Sequence, residues 1–108
     1  MKKFVIAAAV LGLACGQVYA SGNVAAGKKK VDEVCSSCHG KDGRSENPMF
    51  PKLAGQNESY IVHALHAYKK GDRKNPIMGG MAAGLSEEDI QNVAAYLSRQ
   101  DGALFTKR

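Results

Sequence analysis

The sequence has few cysteines, prolines and aromatic residues, and it contains no tryptophan. Its 108 residues include three cysteines, three prolines, four tyrosines and three phenylalanines. No internal repeat, low-complexity tract or second-domain pattern is visible, and the sequence contains no paired carboxylates, Ser-His-Asp set or glycine-rich phosphate loop. The sequence therefore gives no indication of an enzyme with catalytic residues of its own.

The excess of positive over negative charge is also small. Fifteen Lys and Arg residues face ten Asp and Glu residues, a formal net charge of +5, and two of the positive charges are Lys2 and Lys3 at the N-terminus. An excess this small is not typical of a nucleic-acid-binding protein. It is compatible with a surface that docks an acidic protein partner.

The N-terminus has the pattern of a secretory signal. Lys2 and Lys3 precede an uncharged, mostly apolar run over residues 4–14, and Ala20 ends a short small-residue cleavage pattern. The run is too short for a stable membrane-spanning helix. We therefore predict a signal peptide over 1–20, cleavage after Ala20 and a periplasmic domain over 21–108. A retained N-terminal anchor and lipoprotein processing at Cys15 are the alternatives.

Apolar periodicity predicts an all-α fold without strands. Three amphipathic helices are expected, over Asn23 to about Ser36, Ser59–Lys70 and Ser86–Gln100, and Ser86 with Asp89 has the pattern of a capping box. Two long loops, 40–58 and 71–85, separate them. Loops of this length in so small a domain are either disordered or wrapped around something.

The stretch VCSSCHG, residues 34–40, carries the strongest chemical signal. A redox dithiol is disfavoured because a helix precedes the pair and a glycine-rich loop follows it. Structural zinc needs four ligands, and only His63 and His66 could complete a set with Cys35 and Cys38. Haem attachment uses the whole motif, because the two thiols form thioethers and His39 becomes an iron ligand. A haem would also supply much of the core that so short a chain lacks.

The iron would need a second ligand on its opposite face. Imidazole and thioether groups both bind haem iron, and five side chains are candidates: Met49, Met78, Met81, His63 and His66. Met49 is expected to line the His39 side, and both histidines are expected to be solvent-exposed. Spacing alone does not decide between Met78 and Met81.

The chain resembles class I c-type cytochromes, in particular cytochrome c553 and the single domains of cytochrome c4. The resemblance runs from Gly22 to about Gln100 and rests on CSSCHGKDG, FPKLAGQ, YKKGDRKNPIM and LSEEDIQNVAAYLS. It implies a small cytochrome c fold, with three main helices and two long loops around one haem c. The residue roles it implies are thioether attachment at Cys35 and Cys38, axial ligation by His39 and Met78, a Pro51 carbonyl that accepts from His39, and a close helix crossing at Gly27 and Tyr96. Cytochrome c4 has two such domains, whereas this chain has one.

The function implied by the resemblance is that of a soluble periplasmic electron carrier with one haem. The alternatives are a cytochrome subunit of a larger periplasmic oxidoreductase complex and, if Met78 is labile, a gas-binding or gas-sensing haem protein. Redox partners are expected to dock on a basic surface at the haem edge, and neither nucleic acid, a small-molecule substrate nor membrane embedding after cleavage is expected. The residues predicted to form this surface are Lys41, Lys52, Lys69, Lys70, Arg73 and Lys74.

Overall fold

The computed structural model describes residues 22–105, so the predicted signal peptide and its cleavage site lie outside the described residues. All regular elements in the described part are helical, which confirms the all-α prediction. The α-helices are α1 (Val24–Lys30), α2 (Ser36–His39), α3 (Glu58–Lys70), α4 (Pro76–Ala83) and α5 (Glu87–Ser98). A π-helical turn, Val31–Cys35, joins α1 to α2, and a 3₁₀ turn, Lys41–Gly43, follows α2.

Side-chain caps explain where the main helices begin. The Asn23, Asn57 and Asn75 side chains accept hydrogen bonds from backbone N–H groups of the first turns of α1, α3 and α4. The predicted capping box of α5 is confirmed, because Ser86 and Asp89 each accept from the other's backbone N–H at 3.0 Å. These bonds satisfy N–H groups that have no partner within the helix.

The core forms where α1 crosses α5 and α3 packs beside them. The apolar stripe of α5, formed by Ile90, Val93, Ala94 and Leu97, is buried, and Ile90 and Leu97 pack with Val31 of the π-helical turn. Gly27 permits the close crossing, since a Cβ there would lie 1.9 Å from the Asn92 carbonyl oxygen. The Asn92 side chain also accepts from the Asn23 N–H at 2.7 Å, so α1 is attached to α5 by both packing and a hydrogen bond.

The segment 71–85 differs from the sequence prediction, because it contains α4 where a loop was expected. Asn75 caps this helix, and Pro76 occupies its first turn, a position where a missing N–H has no cost. Gly79 and Gly80 disfavour helix in isolation. Tertiary packing compensates, since Ala82 is fully buried and Met78 packs against the core. Residues 22–105 thus contain four main helical segments in place of the predicted three, and the first runs from residue 24 to residue 39.

Candidate functional site

The two cysteines lie on an irregular helical segment that ends at His39. The backbone N–H of Ser36 donates to the Val31 carbonyl, five residues earlier, and the Ser36 hydroxyl donates to the same oxygen at 3.0 Å. Such π-helical turns are often found at functional sites. Gly40, at φ 78°, ends the segment directly after His39. Cys35, Cys38 and His39 therefore lie on one short helical segment that begins at the π-helical turn and ends at Gly40.

Cys35 and Cys38 are both free thiols and partly buried. Cys35 packs against the core formed by Val31 and its neighbours. Burial raises the pKa of the Cys35 thiol to about 11, and the nearby Lys30 charge acts in the opposite direction. At neutral pH the packed Cys35 sulfur is therefore a protonated thiol, which is much less nucleophilic than a thiolate.

The His39 ring is fixed by a hydrogen bond from one nitrogen and by contact with an aromatic side chain. The ring is buried, and its Nδ1–H donates to the Pro51 carbonyl at 2.8 Å. The Phe50 ring stands edge-on to it, with centroids 6.4 Å apart. Because Nδ1 carries the proton of this bond, Nε2 is left with its lone pair available to a metal.

The segment that carries Pro51 is itself bound to the rest of the fold. The Gly43 carbonyl accepts from the N–H groups of Leu53 and Ala54, at 2.8 and 3.1 Å. The N–H of Gly55 donates to the Leu97 carbonyl of α5 at 2.8 Å. The Pro51 carbonyl, which accepts the His39 hydrogen bond, is thus followed by a stretch of backbone that is hydrogen-bonded to Gly43 and to α5.

The methionine candidates differ in burial. Met78 is partly buried against the core, whereas Met81 is 39% and Met49 is 80% exposed. Met49 was expected to line the His39 side. In this structure Phe50 makes that contact, because the turn at 47–50 directs its neighbour Met49 to the surface.

The two remaining histidines lie on α3. His63 is exposed, as expected, but His66 is only partly exposed and its Nε2 lies 2.6 Å from a carboxylate oxygen of Glu87. Within residues 22–105, no three His, Cys, Asp or Glu side chains are grouped as metal ligands, so the Cys₂His₂ arrangement is not formed there.

The available donor groups fit a covalently attached haem. Two free thiols three residues apart precede the His39 imidazole, whose Nε2 is left available because Nδ1–H donates to Pro51. The Met78 thioether and Cys35 both pack against the same apolar core. An open cavity of about 550 Å³ beside Cys38 and Phe50 is a separate feature, because its lining residues are mostly polar and include neither Cys35, His39 nor Met78. Close approach to the backbone is possible at Gly80, where an added Cβ would meet no atom within 4 Å.

Comparison with known proteins agrees with this fold and donor set, which together define a small helical haem-attachment domain. The cytochrome c family model matches residues 24–101. Cytochrome c4 of Pseudomonas aeruginosa is 46% identical over 83% of this chain and 44% of its own length. Cytochrome c-554(548) of Halomonas halodenitrificans is 43% identical over 75% of this chain and 100% of its own length. The crystal structure of reduced cytochrome c4 from Pseudomonas stutzeri has a TM-score of 0.70 and 44% identity, covering 76% of this chain and 47% of that one.

The chain belongs to the cytochrome c family, whose members carry covalently attached haem c, and it is similar to cytochrome c4 and c-554. It spans less than half the length of the cytochrome c4 relative from Pseudomonas aeruginosa. No helix within residues 22–105 is long and apolar enough to cross a membrane.

Proposed function

We propose that this protein is a periplasmic carrier of single electrons that holds one haem c. The observation that carries the proposal is the His39 bond to Pro51, because it presents Nε2 as a ligand directly beside two free thiols. The haem iron, when bound, supplies a one-electron ferrous–ferric couple. The protein residues attach, orient and shield that group.

Each residue of the site has a defined role in this proposal. Cys35 and Cys38 would form the two thioethers to a bound haem and His39 Nε2 would bind its iron, while the Pro51 carbonyl fixes the rotation of the imidazole. Met78, in the first turn of α4, would supply a thioether as the second iron ligand. Two strong protein ligands would leave no open site for a substrate, which suits one-electron transfer.

A single haem is proposed because the sequence contains one Cys-x-x-Cys-His motif. The full-length coverage of cytochrome c-554(548) supports a protein of this size with one such domain. The periplasmic location rests on the signal pattern over 1–20, and residues 21–108 are the proposed mature domain.

The proposed partner surface is the basic edge of the site, and its six residues are not equivalent. Lys52 donates to the Ser45 carbonyl at 2.7 Å, and Lys69 donates to the Leu85 carbonyl. Arg73 stacks over the Tyr68 ring at 4.7 Å. The other three are exposed and, within residues 22–105, form no hydrogen bond or ion pair through their side chains; they are Lys41, Lys70 and Lys74. All six side chains keep their positive charge, and we propose that these three, which are free to reorient, make the closest contacts with an acidic redox partner.

Haem staining of denaturing gels tests the proposal. Protein matured in a periplasm with haem-attachment machinery should keep peroxidase-active haem through denaturation, and the haem should resist extraction into acidified organic solvent. The Cys35→Ser/Cys38→Ser variant is the control and should show no stain. Haem that extracts from the wild-type protein would contradict thioether attachment.

A further inference from the structure

A buried tyrosine of α5 is hydrogen-bonded to the turn that follows His39. The Tyr96 hydroxyl donates to one carboxylate oxygen of Asp42, although the residues are 54 positions apart in sequence. Arg44 binds the other Asp42 oxygen at 3.0 Å and donates to the Asp101 carbonyl at 2.7 Å. The Asp42 carboxylate thus joins the turn to α5 and, through Arg44, to the chain beyond it.

The backbone at Asp42 is unusual, which indicates that these bonds constrain it. Its φ of 57° lies in the left-handed region, and it is the one non-glycine residue within 22–105 with a positive φ. Such a conformation is unfavourable for a non-glycine residue unless surrounding contacts hold it. The bonds from Tyr96 and Arg44 are the contacts in place to do so.

A path of peptide bonds and hydrogen bonds leads from Asp42 to the imidazole. Asp42 is followed in the chain by Gly43, whose carbonyl accepts from the N–H groups of Leu53 and Ala54. Those two residues directly follow the Pro51–Lys52 segment, and the Pro51 carbonyl accepts from His39 Nδ1. A shift of the 41–43 turn would therefore move the acceptor of the His39 bond.

We propose that Tyr96 and Asp42 are positioning residues that set the strength of the His39–Pro51 hydrogen bond. The inference rests on the proposed function, in which His39 binds the haem iron. A firm bond from Nδ1–H to a carbonyl makes the imidazole a stronger donor to the iron and favours the ferric state. Loss of the Tyr96 hydroxyl weakens that bond and shifts the balance toward the ferrous state.

The test compares wild-type holoprotein with Tyr96→Phe, which removes one oxygen atom and keeps the ring. We expect the ferrous-to-ferric ratio at the wild-type midpoint potential to rise about threefold. The ¹⁵N chemical shift of His39 Nδ1 should move, and the amides of Leu53 and Ala54 should exchange faster. Tyr60→Phe is the matched control, because it removes the same atom from an exposed tyrosine on α3 and should change none of these quantities.

A second variant, Asp42→Asn, keeps an oxygen acceptor for the Tyr96 hydroxyl and should give a smaller change of the same sign. A stability loss in Tyr96→Phe with an unchanged potential and Nδ1 shift would assign the pair a purely structural role and overturn the proposal. If Tyr96→Phe does not fold, an unchanged Asp42→Asn potential overturns it equally. A wild-type protein without a haemochrome spectrum would instead defeat the proposed function, so the two failures are distinguishable.

Discussion

On the His39 flank of the site (residues 39–57), the backbone is attached to α5 and to itself at several points, whereas the Met78 flank (residues 71–85) has few attachments. The His39 flank has the Gly43 and Pro51 carbonyl bonds and the Gly55 bond to α5. On the Met78 flank residues 71–77 are all exposed. Its attachments include the Asn75 cap, the packing of Met78, Ala82 and Leu85, the Arg73 N–H bond to the Ala67 carbonyl of α3, and the Lys69 bond to Leu85.

The difference indicates how the protein holds the two proposed iron ligands, His39 and Met78. Protein groups orient the His39 ring, since the Pro51 carbonyl accepts its Nδ1–H and the backbone behind Pro51 is bonded to Gly43 and to α5. The Met78 flank has fewer such bonds. Since regions with few buried contacts and exposed backbone open most easily, we expect this flank to depend on haem for its order and the His39 flank to depend on it less.

The largest expected effect is that of preventing haem attachment. The Cys35→Ser/Cys38→Ser chain should be largely unfolded, because so small a domain is marginal without its cofactor. Circular dichroism during heating and the dispersion of amide NMR signals measure this. Residual order, if any, should lie on α1, α5 and the His39 flank. A sharp cooperative transition with a dispersed spectrum in the variant would contradict the prediction.

The next effect separates the two methionines. Met78→Ala should abolish the long-wavelength sulfur-to-iron band of the ferric protein, lower the potential and open the iron to carbon monoxide. Met81→Ala should keep the band. Because Met81 is 39% exposed, it should lose only about 1 kcal/mol of stability or less. The reverse pattern would make Met81 the ligand, and a band that survives both changes would exclude methionine ligation from this flank.

A pair of glycine substitutions tests the rigidity of the two flanks directly. Gly43→Ala should lower the free energy of unfolding by about 2–4 kcal/mol, since φ is +75° and the new Cβ would lie 2.8 Å from Leu97 Cδ2. Gly84→Ala on the Met78 flank should be neutral or slightly stabilising, because φ is −81° and the nearest atom, the Met81 carbonyl oxygen, is 3.7 Å away. Urea unfolding of both holoproteins measures the difference. Equal losses would contradict the proposed asymmetry.

A smaller effect should depend on pH through Tyr96. Burial, followed by the Asp42 hydrogen bond, raises the pKa of Tyr96 from 10.0 to about 12. The folded state therefore favours the neutral hydroxyl. Its contribution to the free energy of unfolding is complete below about pH 10 and is lost as the pH rises through about 12. Between about pH 10 and pH 12, the free energy of unfolding should fall by roughly 1–2 kcal/mol more in wild type than in Tyr96→Phe. Parallel stability curves for the two proteins would contradict it.

The same pair should act in the opposite direction in acid. The Tyr96 hydrogen bond, with Arg44, holds the pKa of the Asp42 carboxyl below its ordinary value of 3.8. The contribution of the Asp42 carboxylate to the free energy of unfolding is complete above that ordinary value. It is lost as the pH falls through the lowered pKa of the folded state. Wild type should therefore lose more stability than Asp42→Asn between about pH 5 and pH 2, as measured by urea midpoints. Equal acid sensitivity of the two proteins would argue against the bond.

The smallest expected effect concerns the basic edge. Oxidation by the anion ferricyanide should slow several-fold between low and moderate salt, because charges are screened within about 10 Å at ~0.1 M. Lys70→Gln and Lys52→Gln should each weaken this salt dependence, because the hydrogen bond of Lys52 to the neutral Ser45 carbonyl leaves its positive charge in place. A cationic cobalt complex is the control and should show the opposite salt trend. Rates with ferricyanide that ignore salt would contradict an attractive basic edge.

The sequence predicted those features that depend on local signals. The α5 capping box and buried stripe follow from residues within a few positions of one another, and both are present. The helix α4 was missed because two glycines obscure its pattern, and its stability comes from Asn75 and from packing with distant residues.

The candidate site shows the same division. Cys35, Cys38 and His39 were identified from one contiguous motif. The Phe50 contact and the Tyr96–Asp42 bond were not, because they join residues 11 and 54 positions apart and no local pattern marks them. The left-handed conformation of Asp42 had only a weak sequence signal, which is the position of Asp42 between Gly40 and Gly43.

Intact-mass spectrometry of the protein matured in a haem-attaching periplasm tests the central claim most directly. We predict one species that begins at Ser21 and carries the mass of exactly one haem, and a proteolytic peptide over 31–41 in which both Cys35 and Cys38 are modified by it. A folded protein with two unmodified thiols and no added mass would contradict the account.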